Sequence, residues 1–265
     1  MPYLSPALNV MTAAARKAGR ALIRDFGEIE NLQVSLKGPA DFVTAADRRT
    51  ERILIQELSK ARPGYGFLVE ESGTIEGPDK SHRFIIDPLD GTTNFLHGVP
   101  HFAISIALER EGQLVSALIY NPVIDEMYTA EKNHGAYLNT KRLRVAARNH
   151  LKEALVSTGM PFHGREGHEQ FLEQLGPVMA ATAGVRRFGS AALDLAFVAS
   201  GRFDGFWENG LAPWDIAAGI LLVREAGGQI SDLSGGARAL ETGDVLAAND
   251  ILHPKLLKLL RELRR

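Results

Sequence analysis

Apolar positions along this chain keep two different periods, and each period predicts a different kind of element. From Pro6 to Phe26 the residues Leu8, Met11, Ala15, Ala18, Leu22 and Phe26 recur at spacings of three and four, the stripe of an amphipathic helix. Asp47 to Ala61 repeats the pattern with Ile53, Leu54 and Leu58 set among charges, and Pro63-Gly64 stops it. Between the two, Lys37 to Asp41 reads as a turn-rich loop. Past Gly64 the runs shorten to strand length: Gly66–Val69, Arg83–Ile86, Phe102–Leu108, Leu114–Tyr120 and Glu126–Ala130, with Gly135–Asn139 as a hairpin edge.

The second half alternates. Helices are predicted over Glu169–Ala183, Ala191–Ser200, Asp215–Ala226 and Pro254–Arg265, and strands over Val185–Phe188, Phe203–Trp207 and Val245–Ala248. This is a layered α/β (α+β) pattern with a subdomain boundary near Ala146 to Lys152. The expected division is residues 1–147, an N-terminal α/β subdomain, and residues 148–265, a C-terminal one. No internal repeat or low-complexity segment interrupts it.

Composition narrows the chemistry. A chain of 265 residues with 45% hydrophobic and 23% charged positions can bury a sizeable core. Thirty Lys and Arg against 32 Asp and Glu argue against a dedicated nucleic-acid binder, which carries a basic excess. With no cysteine, disulfides, thiolate-bound zinc, iron–sulfur clusters and thiol nucleophiles are excluded. The first ten residues lack the basic and apolar regions of a signal peptide, and no apolar run approaches the ~20 residues of a membrane span. A cytoplasmic location and no membrane partner are therefore expected.

Three segments place acids where an apolar strand ends or a helix begins: Leu68-Val69-Glu70-Glu71-Ser72, Ile86-Asp87-Pro88-Leu89-Asp90-Gly91-Thr92-Thr93-Asn94, and Pro213-Trp214-Asp215-Ile216. Such positions are where α/β proteins build sites. If Gly91-Thr92-Thr93 opens a helix or turn, its N–H groups form a phosphate cradle beside the metal-binding acids Asp87 and Asp90. Oxygen ligands without cysteine favour Mg²⁺ or Mn²⁺ over zinc. Singly, each segment has a bland reading. Asp-Pro-x-Asp-Gly is rich in turn residues, Glu-Glu suits a solvated loop, and Asp after Trp suits a helix start. Their joint occurrence in this order is far more specific.

Together with Asp41-Phe42-Val43-Thr44-Ala45-Ala46-Asp47 and the run from Gly189-Ser190-Ala191 through Asp194 to Phe206-Trp207-Glu208, these segments resemble the inositol monophosphatase family. That family is a branch of the lithium-sensitive, Mg²⁺-dependent sugar phosphatases, and the run from Gly189 looks like its bacterial members. Matching positions reach from about residue 37 to residue 228. The resemblance implies an α-β-α-β-α sugar-phosphatase fold with two packed subdomains, a homodimer, and two or three Mg²⁺ ions. Glu70, Asp87 and the Leu89 carbonyl would hold one ion. Asp87, Asp90 and Asp215 would hold a second, and a weaker third would sit near Glu70. The nucleophile would be a water activated at the metals, oriented by Glu70 and by Thr92 hydrogen-bonded to Asp47. Gly91, Thr92 and Thr93 would hold the phosphate. Asp90, Gly189, Ser190, Ala191 and Glu208 would hold the rest of the substrate, with Arg186 or Arg187 reaching it as well. Lys37 matches a basic residue on the family's metal-site loop.

The implied reaction is hydrolysis of a small phosphorylated polyol, inositol 1-phosphate first. Histidinol phosphate, fructose 1,6-bisphosphate and 3′-phosphoadenosine 5′-phosphate are rivals within the same chemistry. A regulatory role in ribosomal RNA transcription antitermination, through RNA or the transcription machinery, is a rival of another class. Other features lead nowhere. His168-Glu169 lacks the second histidine of a zinc-protease helix, and His97 and His101 read as structural or rim residues. The basic residues of the last helix suit its C-terminal dipole.

Overall fold

The stripe from Leu8 to Leu22 is the buried face of helix α1 (Pro6–Phe26), where Met11, Ala15, Ala18 and Leu22 are fully enclosed. Ser5 caps it by accepting from the Leu8 N–H, and Pro6 occupies the first helical position, where no N–H is needed. The computed structural model describes residues 5–28, 34–38 and 41–261.

In chain order there follow β1 (Val34–Gly38), β2 (Asp41–Thr44), α2 (Ala45–Ala61), β3 (Tyr65–Val69), β4 (Gly73–Ile75), β5 (Asp79–Asp90) and α3 (Thr92–Leu96). Then come β6 (Ala103–Arg110), β7 (Gln113–Asn121), β8 (Glu126–Glu131), β9 (Gly135–Leu138), β10 (Lys141–Arg142), β11 (Leu155–Thr158) and α4 (His168–Ala181). The chain continues through β12 (Gly184–Arg186), α5 (Ala191–Ala199), β13 (Gly205–Glu208) and α6 (Pro213–Glu225). It ends with β14 (Gln229–Ser231), α7 (Ala239–Thr242), β15 (Val245–Ala248) and α8 (Leu252–Arg261).

Two sheets organise these elements. The larger has eight strands in the order β10-β9-β8-β7-β6-β5-β3-β4, and the smaller has five in the order β12-β11-β13-β15-β14. Helices α1 and α2 cover one face of the large sheet. Helices α5 and α6 lie between the two sheets and share one core with both. Helices α4 and α8 cover the far face of the small sheet. The result is the α-β-α-β-α layering expected from the sequence.

The layers explain the patterns. Helix α6 is flanked by sheets on both sides, so Ile216 to Val223 are all buried and the helix has no polar stripe. Strand β6 is buried from Ala103 to Leu108 and reads as a continuous apolar run, as two-sided burial requires.

Some boundaries differ from the sequence expectation. Residues 34–38 and 41–44 pair as antiparallel strands, β1 with β2, where a loop was expected over residues 37–41; residues 39 and 40 lie outside the described set. Strand β12 ends at Arg186, two residues before Phe188. Strand β13 begins at Gly205 because Asp204 turns inward to accept from the Leu155 N–H. Helix α8 starts at Leu252, before Pro254, since Asn249 Oδ1 accepts from the Leu252 N–H at 2.7 Å. Its expected basic end at Arg264 and Arg265 lies outside the described residues. The short strands β4, β11 and β14 carry too few residues for a readable period. Among the described residues no helix is long and apolar enough to cross a membrane.

The segment joining the sheets is pinned from below. Asp204 accepts from Arg148 Nε at 2.6 Å, and Asn249 donates to the Ala146 and Arg148 carbonyls, each at 2.8 Å. Asp204→Ala strands a buried N–H on β11 and unpairs Arg148. It is expected to lower stability by about 1–3 kcal/mol, seen as a lower urea midpoint.

Candidate active site

The site is built where β5 breaks its pairing with β6. Asp87 lies opposite Ser105 but Asp90 lies opposite Ala103, so β5 carries one extra residue between them. This is a β-bulge, and it coincides with Pro88, which has no N–H to give to the ladder. The bulge turns Asp87 and Asp90 toward the same end of the sheet. Gly91 follows with φ 97°, and a Cβ there would stand 3.0 Å from the His101 carbonyl, so glycine suits the turn on both counts. Helix α3 then begins with Thr92 and Thr93, whose N–H groups precede the first intrahelical donor, the Phe95 N–H on the Gly91 carbonyl.

Neighbouring elements bring in the other acids. Glu70 follows β3 beside β5, with its N–H on the Ile86 carbonyl; the segment is held by Glu51 of α2, which accepts from the Glu71 N–H and the Ser72 hydroxyl. Asp215 lies in the first turn of α6 and reaches back to accept from the Ala212 N–H at 2.7 Å. That turn is tied to β6 by the Ser105 hydroxyl on the Trp214 carbonyl, directly across from Asp87. Asp47 caps α2 by accepting from the Thr44 N–H at 2.8 Å, and its other oxygen faces the Thr92 hydroxyl at 3.2 Å. The Thr92 hydroxyl also stands 3.0 Å from the Leu89 carbonyl.

Glu70, Asp90, Gly91, Thr92, Thr93 and Asp215 line one end of a cavity of about 670 Å³. Asp87 and Leu89 lie just behind it, 2% and 1% exposed. Gly189, Ser190, Ala191 and Glu208 also line it, so most of the residues singled out from the sequence meet at one cavity. Asp90 ties the acids to the start of α5, accepting from the Ser190 hydroxyl at 2.6 Å and the Ala192 N–H at 2.8 Å. Asn94 ties α3 to the Phe188 carbonyl at 2.7 Å. The Glu208 carboxyl lies against Gly159, where any Cβ would fall 1.9 Å from it.

Arg187, not Arg186, lines the cavity; Arg186 closes β12 and turns its guanidinium onto the neighbouring Val185 carbonyl. Lys37 lies on β1. His97 and His101 are not part of the lining, and His101 packs against Phe188 and Phe197. Sequence reasoning missed Arg165, stacked on Phe162 at 4.7 Å, and Asp194, both of which line the cavity. Only their proximity in space marks them, since residues 159–167 form an irregular loop with no period.

The acids disfavour each other's charge. Burial, then Glu70, Asp90 and Asp215, raise the Asp87 pKa well above the ordinary carboxylate value. Burial raises Asp90 to about 6, with Glu70 adding to it against the Ser190 and Ala192 hydrogen bonds. Asp215 rises to about 7 through burial, Asp90 and Glu70. Asp47 rises to about 6 through burial, with Glu70 contributing. Glu208 rises to about 8 through burial, Asp215 and Asp90.

A cation at this end would relieve that repulsion, and the donors suit a hard one: among the described residues no cysteine, histidine or lysine lines the cavity. No three carboxylate or imidazole groups among the described residues enclose an ion by themselves. An ion there would complete its shell with water and main-chain oxygen, as Mg²⁺ commonly does.

The model of the inositol monophosphatase family matches residues 4–265. The chain belongs to that family. It is 61% identical to the inositol-1-monophosphatase of Mesorhizobium japonicum over 258 residues, covering 97% of each chain. It is 45% identical to the Nus factor SuhB of Pseudomonas aeruginosa over 250 residues, 93% of this chain and 92% of that one. The solved structure of the extragenic suppressor protein suhB from Bartonella henselae superposes with a TM-score of 0.95 at 56% identity, covering 97% and 99%. As a family member the chain is a phosphoric monoester hydrolase, and the family is generally Mg²⁺-dependent.

The pKa shifts set a sign for stability. Folded Asp215 keeps its proton to about pH 7, whereas the unfolded chain releases it near 3.8, so between these values the folded state binds more protons. Stability contributed by the acid cluster therefore falls as pH rises through this window. In chelator, the thermal midpoint of Asp215→Asn is expected to exceed that of the native chain at pH 8 and to approach it at pH 5. The comparison with the variant separates the cluster from buried His101 and His253, whose lowered pKas act with the opposite sign. Equal midpoints at both pH values would show that the cluster carries no net repulsion.

Proposed function

We propose that this chain hydrolyses inositol 1-phosphate to inositol and inorganic phosphate, with Mg²⁺ held by Glu70, Asp87, Asp90, Asp215 and the Leu89 carbonyl. The observation that carries this reading is the single cavity that the acids share with Glu208 and the start of α5, joined through Asp90. Two or three bound Mg²⁺ ions would neutralise phosphate charge and activate water, the usual contribution of metals to phosphoryl transfer.

The chain's own residues then have defined tasks. The Thr92 hydroxyl has one hydrogen and two acceptors in reach, Asp47 Oδ1 and the Leu89 carbonyl. With the Leu89 carbonyl holding a metal ion, that hydrogen would go to Asp47. Thr92 Oγ1 is then left with lone pairs that accept a hydrogen bond from the attacking water. Glu70, lining the same end, accepts the water's proton. The water oxygen bonds to phosphorus as the ester P–O bond breaks in line, and the departing oxygen takes a proton from solvent water to become the inositol hydroxyl. Thr93 and the N–H groups of Gly91 and Thr92 orient the phosphate oxygens, while Glu208 and the Ala191 backbone orient ring hydroxyls. Lithium sensitivity, a homodimer, a cytoplasmic location and subdomains over 1–147 and 148–265 complete this reading.

Phosphate release from inositol 1-phosphate is expected to require Mg²⁺, to stop on chelation and to be lost in Asp90→Asn. Thr92→Ala is expected to lower kcat by about 10²–10⁴-fold with the fold intact by circular dichroism. Absence of turnover from folded protein with Mg²⁺ would sink the proposal.

The Nus factor relatives favour a second reading, a role in transcription. A purely metabolic phosphatase should show no salt-sensitive RNA binding, and such binding would bring this second role forward.

A further inference from the structure

One acid at the substrate end has no task in the chemistry above. Asp194 stands in the first turn of α5, is 1% exposed and lines the cavity; the Ser157 hydroxyl of β11 faces its carboxyl, yet neither that hydroxyl nor Asp194 Oδ1 completes a hydrogen bond. The start of α5 is otherwise committed. The Ser190 hydroxyl donates to Asp90 and accepts from the Leu193 N–H, and the Ala192 N–H also goes to Asp90. The same turn therefore fixes both Asp90 and Asp194 against the cavity.

Native proteins rarely leave a buried carboxyl oxygen unpaired, because its lost hydration is not replaced. A bound ligand is the partner the cavity can supply. The charge around it indicates what kind. Burial, then Glu208 and Asp90, raise the Asp194 pKa well above the ordinary carboxylate value, while the Ser157 hydroxyl and then Arg187 oppose them. Arg165 and Arg187 line the same cavity and favour the charged form of Glu208 as well, against its burial. Two guanidiniums beside two acids leave little attraction for an ammonium group. They suit a neutral group that both donates and accepts, which is a hydroxyl.

We propose that Asp194 is a specificity-determining residue whose Oδ1 hydrogen-bonds a ring hydroxyl of the substrate, next to the hydroxyl that Glu208 takes. The proposal rests on the polyol phosphate reading above and adds a contact to it.

The test compares kcat/KM for inositol 1-phosphate with kcat/KM for 4-nitrophenyl phosphate, which has no ring hydroxyl, in the full-length enzyme with Mg²⁺. In Asp194→Ala the ratio of the two is expected to fall about tenfold or more, mainly through KM for inositol 1-phosphate. Asp194→Leu keeps the branched shape and suits a helix, so it serves if the alanine variant does not fold, and the same fall is expected. Asp194→Asn, which retains an acceptor oxygen, is expected to recover most of the ratio. An unchanged ratio in folded Asp194→Ala or Asp194→Leu overturns the proposal, because a purely structural acid would affect both substrates alike. A native enzyme that turns over 4-nitrophenyl phosphate but not inositol 1-phosphate overturns the polyol reading, and this contact with it.

Discussion

Like charges gathered in a poorly hydrated place repel, and the surrounding structure exists to hold them there. Glu70, Asp90 and Asp215 each raise the charging cost of Asp87. Left to itself, a chain would swing such side chains into water. Here one oxygen of Asp87 accepts from the Leu89 N–H, one of Asp90 from Ser190 and Ala192, and one of Asp215 from the Ala212 N–H. These donors belong to the bulge and to two helix starts, so the repulsion is borne by rigid backbone rather than by flexible side chains.

Such anchoring needs parts of the chain that are distant in sequence. Ser190 meets Asp90 across 100 residues, and Ser105 meets the Trp214 carbonyl across 109. Both contacts run through α5 and α6, the layer between the two sheets. Their apolar faces fix how closely the sheets approach, and the site is formed where those helices begin. Packing and chemistry share one set of elements, which is why the interior helices are apolar all round yet carry an acid in the first turn.

The cavity is polarised as a consequence. Its β5 end gathers carboxylates that disfavour one another's charge and suits cations. Its other end sets Asp194 and Glu208 against Arg165 and Arg187 and is close to balanced. A ligand with one charged end and one neutral, hydroxylated end matches that gradient without any moving part.

Most of the framework was legible in the sequence, because period follows burial. The stripe of α1, the continuous run of β6 and the unstriped α6 each announce how many faces are covered. The acids of β5 and α6 and the Gly91 turn were legible too, since Pro, Gly and a helix-start acid have local backbone reasons to be there. Three things were not. The strands β4, β11 and β14 are too short to show a period and exist because neighbours pair with them. The choice of Arg187 over Arg186 depends on where β12 ends, and adjacent residues on an extended chain point in opposite directions. Asp194 reads locally as a helix-start acid like any other, and only the packing of α5 against β11 and β13 sets its carboxyl against a cavity. Sequence by itself determined which residues are buried and where the backbone must turn, because these are short-range properties. The convergence of the acids and the direction of each side chain were decided by tertiary packing, since they depend on contacts made across about a hundred residues.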